Sequence, residues 1–452
     1  MEYTVPCPAP AMPPETTISP SDPLVVSSEA LLAAFANVPD PRRRQGTRFP
    51  LPAILALAVA AILSNHLSVL AIAEWGASQC RDLLLALGFV GDTTPHQSTL
   101  QRLFRKLEPD HLSTALTNYF CASTATEERA RGSQGVAIDG KAQRGRLAFD
   151  SSRRLAEARG CPVHALSAFL HEQGVVLAQE PIEAEGQSEK AEAELTVAPG
   201  LIARIDWQGR VMTGDALFCQ RTICQQITEA GGDYLFVVKE NQPTLYEDIH
   251  LFFDPPADLA LPLDDRREVR TIDNGHGRHH DTRHLIASTD LVGYGRVDLD
   301  HGCAVSYQIG RNHTDWPGLA QVFRLERTWQ ERGAIKREVQ YGITSLPPEI
   351  ADASRLLALP PIAPRTGEGL ALKRGHWQIE NGLHCVKDVT LGEDRSPIHL
   401  GNGPSVMAML RDLAVSLLHQ VGCRTIAQRL RYHSGHPYQA VALLTGNCCQ
   451  NA

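Results

Sequence analysis

Hydrophobic positions in the first quarter of the chain recur with the spacing of amphipathic helices. From Ser28 to about Cys121 this pattern predicts helices over SEALLAAFANV, over the apolar run after Pro52, over Val69 to Leu87 and over TPHQSTLQRLFRKL. The run LPAILALAVAAIL is too short to span a membrane, so it predicts a helix buried in a protein core. The first quarter is therefore predicted to be all-helical.

The last of these helices has an apolar face and a basic face. We expect Thr94 to cap it and Pro95 to occupy its first turn. Its apolar stripe consists of Leu100, Leu103, Phe104 and Leu107. The opposite face carries Arg102, Arg105 and Lys106. Such a helix fits a helix-turn-helix DNA reader and equally the solvated face of an ordinary bundle, and Arg42 to Arg48 likewise fits a phosphate-contacting arm or a linker.

From Gly135 the pattern changes to short apolar strands alternating with helices. Strands are predicted over GVAIDG, VHALSAFL, GVVLAQEPI, GRVMTGD and DYLFVVK, with helices at Thr196 to Ile205 and Gln220 to Ala230. Three strands followed by strand and helix in alternation predict a mixed sheet with helices on its faces. The acidic run from Glu180 to Glu194 is predicted to be a solvated loop.

Residues 240 to 370 leave this alternation. After a helix at Leu245 to Phe253, strands are predicted around residues 266–272, 283–288, 305–310, 322–330 and 335–344. We interpret this stretch as a mostly β insertion. Helices return at about residues 372–386, 405–420 and 425–432.

Length and composition add a domain count and exclude some classes of protein. The 452 residues predict two or three folded domains. We divide the chain into a disordered leader (1–26), a helical DNA-binding domain (27–125), the first part of a catalytic core (130–240), the insertion (241–370), the completion of the core (371–435) and a tail (436–452). The net charge of -8 excludes a protein that coats nucleic acid by charge alone, so DNA contact must come from local basic patches.

Cysteine usage and the N-terminus bear on the compartment. The 11 cysteines are scattered without zinc-type pairs, which favours reduced thiols in a cytosol. The first residues are rich in Pro and acids where an export signal would need basic and then apolar residues. We therefore expect a cytoplasmic protein without a membrane segment.

Three acidic residues occupy positions suited to metal-dependent phosphoryl transfer. Asp139 and Asp215 each follow an apolar strand, and Glu380 lies in the helical segment LKRGHWQIENGLHCVKDV. Two Mg²⁺ ions about 4 Å apart need shared carboxylate ligands, and strand ends present such ligands at an open crevice. Each acid alone is a weak signal, because an Asp after a strand is usually a turn or cap residue.

In combination, the blocks around these acids resemble the DDE transposases of bacterial insertion sequences, in the H-repeat-associated (ISAs-like) branch of the IS4-like group. The blocks are FANVPDPRRRQGTRFPLPAILALAVAAIL, VAIDGKAQRG, GDALFCQ with DYLFVVKENQPTL, and RGHWQIENGLHCVKDVTLGEDRS, and they occur in the family's order. The likeness covers residues 28 to 420. It implies an α/β fold, an RNase H-like mixed sheet flanked by helices, with a β-rich insertion and an all-helical N-terminal domain.

The resemblance also implies the chemistry. Asp139, Asp215 and Glu380 would be the catalytic triad that binds two Mg²⁺ ions, for which Mn²⁺ can substitute. The expected activity is cleavage at transposon ends and strand transfer into target DNA by a homodimer associated with the bacterial nucleoid. A catalytically inactive, transposase-derived DNA-binding protein and a metal-dependent nuclease of the same fold are the alternatives.

Five residues are predicted to contact DNA. Lys387 occupies the place of the family's lysine, with six residues between it and the glutamate, while the place of its arginine is taken by His376, with Arg374 nearby. Lys239 and Asn241 are added for their charge and hydrogen-bonding capacity toward phosphates.

Two histidine patterns suggest other sites. His376, Glu380 and His384 recur every four residues and could bind zinc from one helix face, although the HExxH motif is absent. A second group, which we interpret as an exposed polar hairpin, comprises His276, His279, His280 and His284.

Overall fold

In the computed structural model of the chain, the described residues are 29–43, 47–124, 129–142, 164–182, 190–255, 265–273, 279–290, 316–331, 334–357, 379–423 and 425–445. The leader and residues beyond 445 lie outside this set.

Six helices make up the first part of the fold. They are α1 (Glu29–Ala36), α2 (Leu51–Leu63), α3 (Val69–Ala77), α4 (Arg81–Ala86), α5 (Gln97–Phe104) and α6 (Pro109–Ser123). The all-helical prediction is confirmed, with two corrections. The single helix predicted over residues 69–87 is interrupted after α3, where the side chains of Ser78 and Gln79 donate to the Trp75 carbonyl and end it. The cap of α5 is His96, which accepts from the Ser98 amide, so Thr94 is not the cap and Pro95 lies before the helix and not in its first turn.

Helix α2 is the centre of the helical core. Almost all of its side chains are buried, as expected of an apolar run flanked on all sides by other helices. It packs against α1, α3 and three C-terminal helices, α11 (Gly403–Gln420), α12 (Ile426–Gly435) and α13 (Pro437–Thr445). The two ends of the described chain therefore share one core, and the predicted tail contains a helix.

A mixed sheet forms the second part. Its first five strands are β1 (Gln134–Ala142), β2 (His164–Leu170), β3 (Val175–Ile182), β4 (Arg210–Gly214) and β5 (Asp233–Val238), with helices α7 (Lys190–Ala203) and α8 (Arg221–Glu229) between them. Strands β1, β2 and β3 form an antiparallel meander, and β4 and β5 run parallel to β1 in the order β3-β2-β1-β4-β5. This is the RNase H-like arrangement, so the predicted fold class is confirmed.

The predicted insertion extends the same sheet. After helix α9 (Pro243–Phe253), four strands follow, β6 (Arg267–Asp273), β7 (His279–Ser288), β8 (Gln321–Glu331) and β9 (Ala334–Thr344). Strand β9 pairs antiparallel with β5, which continues the sheet to nine strands within the described residues. The strand predicted at residues 305–310 lies outside the described residues.

Helices on both faces close the core. Helices α6, α7 and α11 pack against β3, and the short α10 (Ala353–Leu357) packs on β6 and β7. The chain between them includes π-helical turns at Ile379–His384 and Val386–Thr390, followed by a 3-10 turn at Glu393–Arg395. Within the described residues, no helix combines the length and hydropathy needed to cross a membrane.

The acidic run does not form the predicted loop at its ends. Strand β3 extends through Glu180 to Ile182, and α7 begins at Lys190, so Glu194 lies on a helix and is buried. Apolar neighbours such as Ala198, Leu201 and Ile202 place that helix against the core.

Candidate active site

Two of the predicted acids lie on neighbouring parallel strands, at the ends where these strands separate. The last residues that β1 and β4 pair with each other are Ala137 and Thr213, and Asp139 and Asp215 each come two residues later. Asp215 follows the end of β4, whereas Asp139, predicted at or just past a strand end, lies within β1 and pairs with Ser167 of β2. Adjacent strands lie about 4.8 Å apart, so the two backbones deliver these carboxylates side by side. The predicted proximity of Asp139 and Asp215 thus follows from strand register.

Each of these aspartates is oriented by a backbone amide. The amide of Gly140 donates to Asp139 Oδ1 at 2.9 Å. The amide of Leu217 donates to Asp215 Oδ1 at 2.9 Å, which makes Asp215 the cap of a 3-10 turn. A Cβ atom at Gly214 would lie 2.9 Å from the Phe218 ring, so glycine is needed where this turn folds back.

The third acid comes from the far end of the chain. Glu380 is exposed in the first π-helical turn, which packs against β1 and is anchored by the buried side chains of Ile379 and Leu383. Partial burial and the negative charge of Asp139 raise the pKa of Glu380, while His384 opposes them.

The same repulsion acts on the second acid. Partial burial raises the pKa of Asp215, and the charges of Asp139 and Glu194 raise it further, while the Leu217 amide and Lys239 oppose them. The charge of Asp139 therefore acts on both other acids, and strand register places Asp139 beside Asp215.

This cluster suits a hard divalent cation. Carboxylate oxygens are the ligands that Mg²⁺ prefers, and a cation would relieve the repulsion between Asp139 and its two neighbours. As they stand, no three His, Cys, Asp or Glu side chains in the described parts of the chain are grouped closely enough to hold a metal ion. Asp139 lies near enough to Asp215 and to Glu380 for its charge to raise the pKa of each of them.

Two residues at the site were missed or assigned otherwise from the sequence. His384 Nδ1 lies 3.3 Å from Asp139 Oδ2, so this histidine contacts an acid of the triad. The sequence feature that pointed to His384 was its position four residues after Glu380. Glu194 is buried near Asp215. It was not predicted at the site because it belongs to an acidic run that was predicted to be a solvated loop.

The predicted DNA-contacting residues have different surroundings. Lys239 is exposed just after β5, near enough to Asp215 to oppose the rise of its pKa. The Asn241 side chain donates to the Ala216 carbonyl at 2.6 Å, which ties it to the turn after Asp215. Arg374 and His376 lie outside the described residues, as does any zinc site that would use His376.

Lys387 requires a correction. Only 2% of it is exposed, and its Nζ lies 2.7 Å from Asp412 Oδ1 and 3.5 Å from Glu393 Oε2. Burial alone would lower the pKa of Lys387, but these two carboxylates raise it, so the ammonium stays charged inside the protein. With its charge directed inward, Lys387 is not available to a DNA phosphate.

The remaining predicted features are the basic face of α5 and the second histidine group. The apolar stripe of α5 is buried while Arg102, Arg105 and Lys106 are exposed, as predicted, and both readings of this basic face stay open. In the second histidine group, His284 Nε2 lies 3.1 Å from Glu268 Oε2 on the neighbouring strand. His276 and the side chains of His279 and His280 lie outside the described part.

Two family models and several named proteins match most of this chain. Residues 32–120 match the family model described as DDE_Tnp_1-associated, and residues 130–418 match the model of the transposase DDE domain. The protein named "H repeat-associated putative transposase YhhI" from Escherichia coli (strain K12) is 27% identical over 394 residues, 86% of this chain and 90% of that protein. "Putative transposase YncI" from Escherichia coli O157:H7 is 25% identical over 406 residues, 89% of this chain and 90% of that protein.

Among solved structures, the cryo-EM structure of the piggyBac transposase synaptic complex with hairpin DNA aligns over 93% of this chain and 79% of that chain. The TM-score is 0.37 and the identity 11%, and at that level of likeness we draw nothing from it. The family predicted from the motifs is confirmed by the family model, which spans well over half of the chain: this protein belongs to the family of DDE transposases.

Proposed function

We propose that this protein is an active DNA transposase that cleaves DNA at transposon ends and joins those ends to target DNA. The observation that supports the proposal is the placement of Asp139 on β1 beside Asp215 after β4, with Glu380 in a distant helical turn that packs against β1 and feels the charge of Asp139. Family membership alone would leave a protein with lost catalysis equally acceptable.

The proposed roles follow from the positions of the groups. Asp139, Asp215 and Glu380 would hold two Mg²⁺ ions, with Mn²⁺ as a substitute. When bound, such ions activate a water nucleophile and stabilise the leaving 3′ oxygen. The amides of Gly140 and Leu217 fix the two aspartates in advance, which reduces the reorganisation needed on binding. No covalent enzyme intermediate is needed, because hydrolysis and strand joining are both in-line displacements at phosphorus.

DNA would be held by local positive charge. Lys239 is exposed beside the carboxylates, and the basic face of α5 presents Arg102, Arg105 and Lys106. We propose that these groups contact phosphates of the terminal repeats or the target, with Asn241 positioning the turn after Asp215. Arg374 and His376 remain proposed DNA contacts, whereas Lys387 does not. A homodimer on DNA, in the cytoplasm at the nucleoid, is the expected working form.

The test is incubation of the purified protein with Mg²⁺ and a DNA fragment that carries the gene's own flanking sequences. Metal-dependent end cleavage and joined products on a gel are expected for the wild-type protein and should be absent for Asp215→Asn, which should still bind DNA. Glu229→Gln, which removes an exposed carboxylate at the far end of α8, is the matched control and should retain both products.

The products also separate the alternatives. Cleavage without joining would identify a nuclease, and DNA binding without either product would identify a protein that no longer catalyses. Either outcome would overturn the proposed function.

A further inference from the structure

Six charged side chains form a buried network beside the catalytic carboxylates, which we call the ion cluster. Its members are Lys141, Lys387, Asp388, Glu393, Arg411 and Asp412. Lys141 Nζ lies 2.5 Å from Asp388 Oδ1 and 4.0 Å from Glu393 Oε2. Glu393 also lies 3.5 Å from Lys387 and 3.6 Å from Arg411, so it is shared by three cations.

The ion cluster is balanced and mostly hidden from water. Three cations face three carboxylates, and the side chain of Asp388, at 36% exposure, is the most accessible of the six. Burying ions is costly, and apolar side chains of similar size often stabilise a fold as well or better. A network of this kind is therefore poorly explained by stability alone.

The ion cluster connects the elements that carry the triad. Lys141 lies two residues after Asp139 on β1, so the two side chains share one face of the strand. Asp388 lies in the π-helical turn that follows the turn bearing Glu380. The contact between Lys141 and Asp388 thus joins the strand of the first acid to the segment of the third.

We propose that the ion cluster positions the triad: the contact of Lys141 with Asp388 sets the separation between Asp139 and Glu380 and so determines how well the carboxylates bind a divalent cation. Lys141 is then a positioning residue, and Glu393, with Lys387 and Arg411, holds it in place. This inference rests on the proposed function, because it concerns the same carboxylates.

Lys141→Met is the most informative change. It leaves the buried charges balanced, since Lys387 and Arg411 still face Glu393 and Asp412, while Asp388 can turn its charge to water. Electrostatics alone would make the variant bind cations more tightly, because a positive charge near the triad is lost. If Lys141 positions the triad, Lys141→Met should instead bind cations more weakly.

The experiment measures Mn²⁺ affinity by electron paramagnetic resonance and hydrogen exchange of residues 379–391. In Lys141→Met we expect Mn²⁺ to bind roughly tenfold more weakly, the usual loss when a group that orients a metal ligand is removed. We also expect faster exchange in this segment. Lys141→Arg should restore both, and Asp388→Leu combined with Lys141→Met should add little to either single change.

The matched control is Asp233→Asn, which weakens the pair between Asp233 and Arg131, 2.8 Å apart at the N-terminal end of β5. It should leave Mn²⁺ affinity unchanged. Equal or tighter Mn²⁺ binding by Lys141→Met, with unchanged exchange, would overturn the inference. Failure of the proposed function would instead be seen as a wild-type protein that makes no DNA products, and the exchange of residues 379–391 still decides the positioning role in that case.

Discussion

Lys387→Met removes one cation from the ion cluster and leaves its carboxylate partners in place. Asp412 loses the ammonium 2.7 Å away, and Glu393 loses one of its three cations. Both carboxylates are buried, so neither can turn to water. Removing one partner of a buried ion pair costs about 3 to 5 kcal/mol, because the remaining charge is uncompensated. We expect a loss of that size in the local stability of α11, which carries Asp412.

Native-state hydrogen exchange of the α11 amides is the suitable assay, because a chain of this length need not unfold in one step. The expected loss corresponds to exchange faster by roughly two to four powers of ten. Lys387→Met combined with Asp412→Leu restores the charge balance and should recover most of the protection. Lys106→Met, at an exposed lysine, is the control and should change nothing. A change below about tenfold in the single variant, or a double variant equally unprotected, would refute the reasoning.

Three further predictions concern other parts of the fold. Burial lowers the pKa of His433 to about 4 from its usual 6.5. As pH falls, the unfolded state therefore binds a proton before the folded state does. The free energy of unfolding should fall by up to about 3 kcal/mol as pH drops from 6.5 to 4. Thermal unfolding of His433→Leu should lack this part of the pH dependence. Gly342→Ala should destabilise the sheet, because the new Cβ would meet the Phe236 carbonyl at 2.6 Å; a raised unfolding temperature would contradict this. Arg105→Ala should weaken DNA binding in filter assays and reduce the slope of affinity against salt by about one, and an unchanged slope would mean that Arg105 contacts no phosphate.

The sequence predicts the first five strands well, because each is a short apolar run ended by Gly, Asp or Glu. The sequence likewise predicts the burial of α2 and of one face of α5, because a fully buried helix is apolar throughout and a half-buried helix has an apolar stripe. The sequence does not predict that the strands of the insertion continue the same sheet. This continuation depends on the pairing of Val238 with Tyr341, which are far apart in sequence and carry no local signal of partnership.

The acids of the site are predicted in part. Asp139 lies on β1 and Asp215 follows β4, the strand next to it, and the family motif adds Glu380, which no periodicity in the sequence would place beside β1. Lys387 was predicted to contact DNA because it occupies the place of the family's lysine, and only the fold brings Asp412 beside it. Glu194 was predicted to lie in a solvated loop because it belongs to an acidic run, and only the packing of α7 buries it.

The central claim is that Asp139, Asp215 and Glu380 surround one metal-binding centre. Replacing Mg²⁺ by Fe²⁺ and adding ascorbate and peroxide generates hydroxyl radicals at the bound ion, which cut the nearby backbone. Mass spectrometry of the fragments should locate cuts around residues 139, 215 and 380 together, and Asp139→Asn should remove all three. Cuts at one of these positions alone, or cuts that persist in Asp139→Asn, would contradict the account.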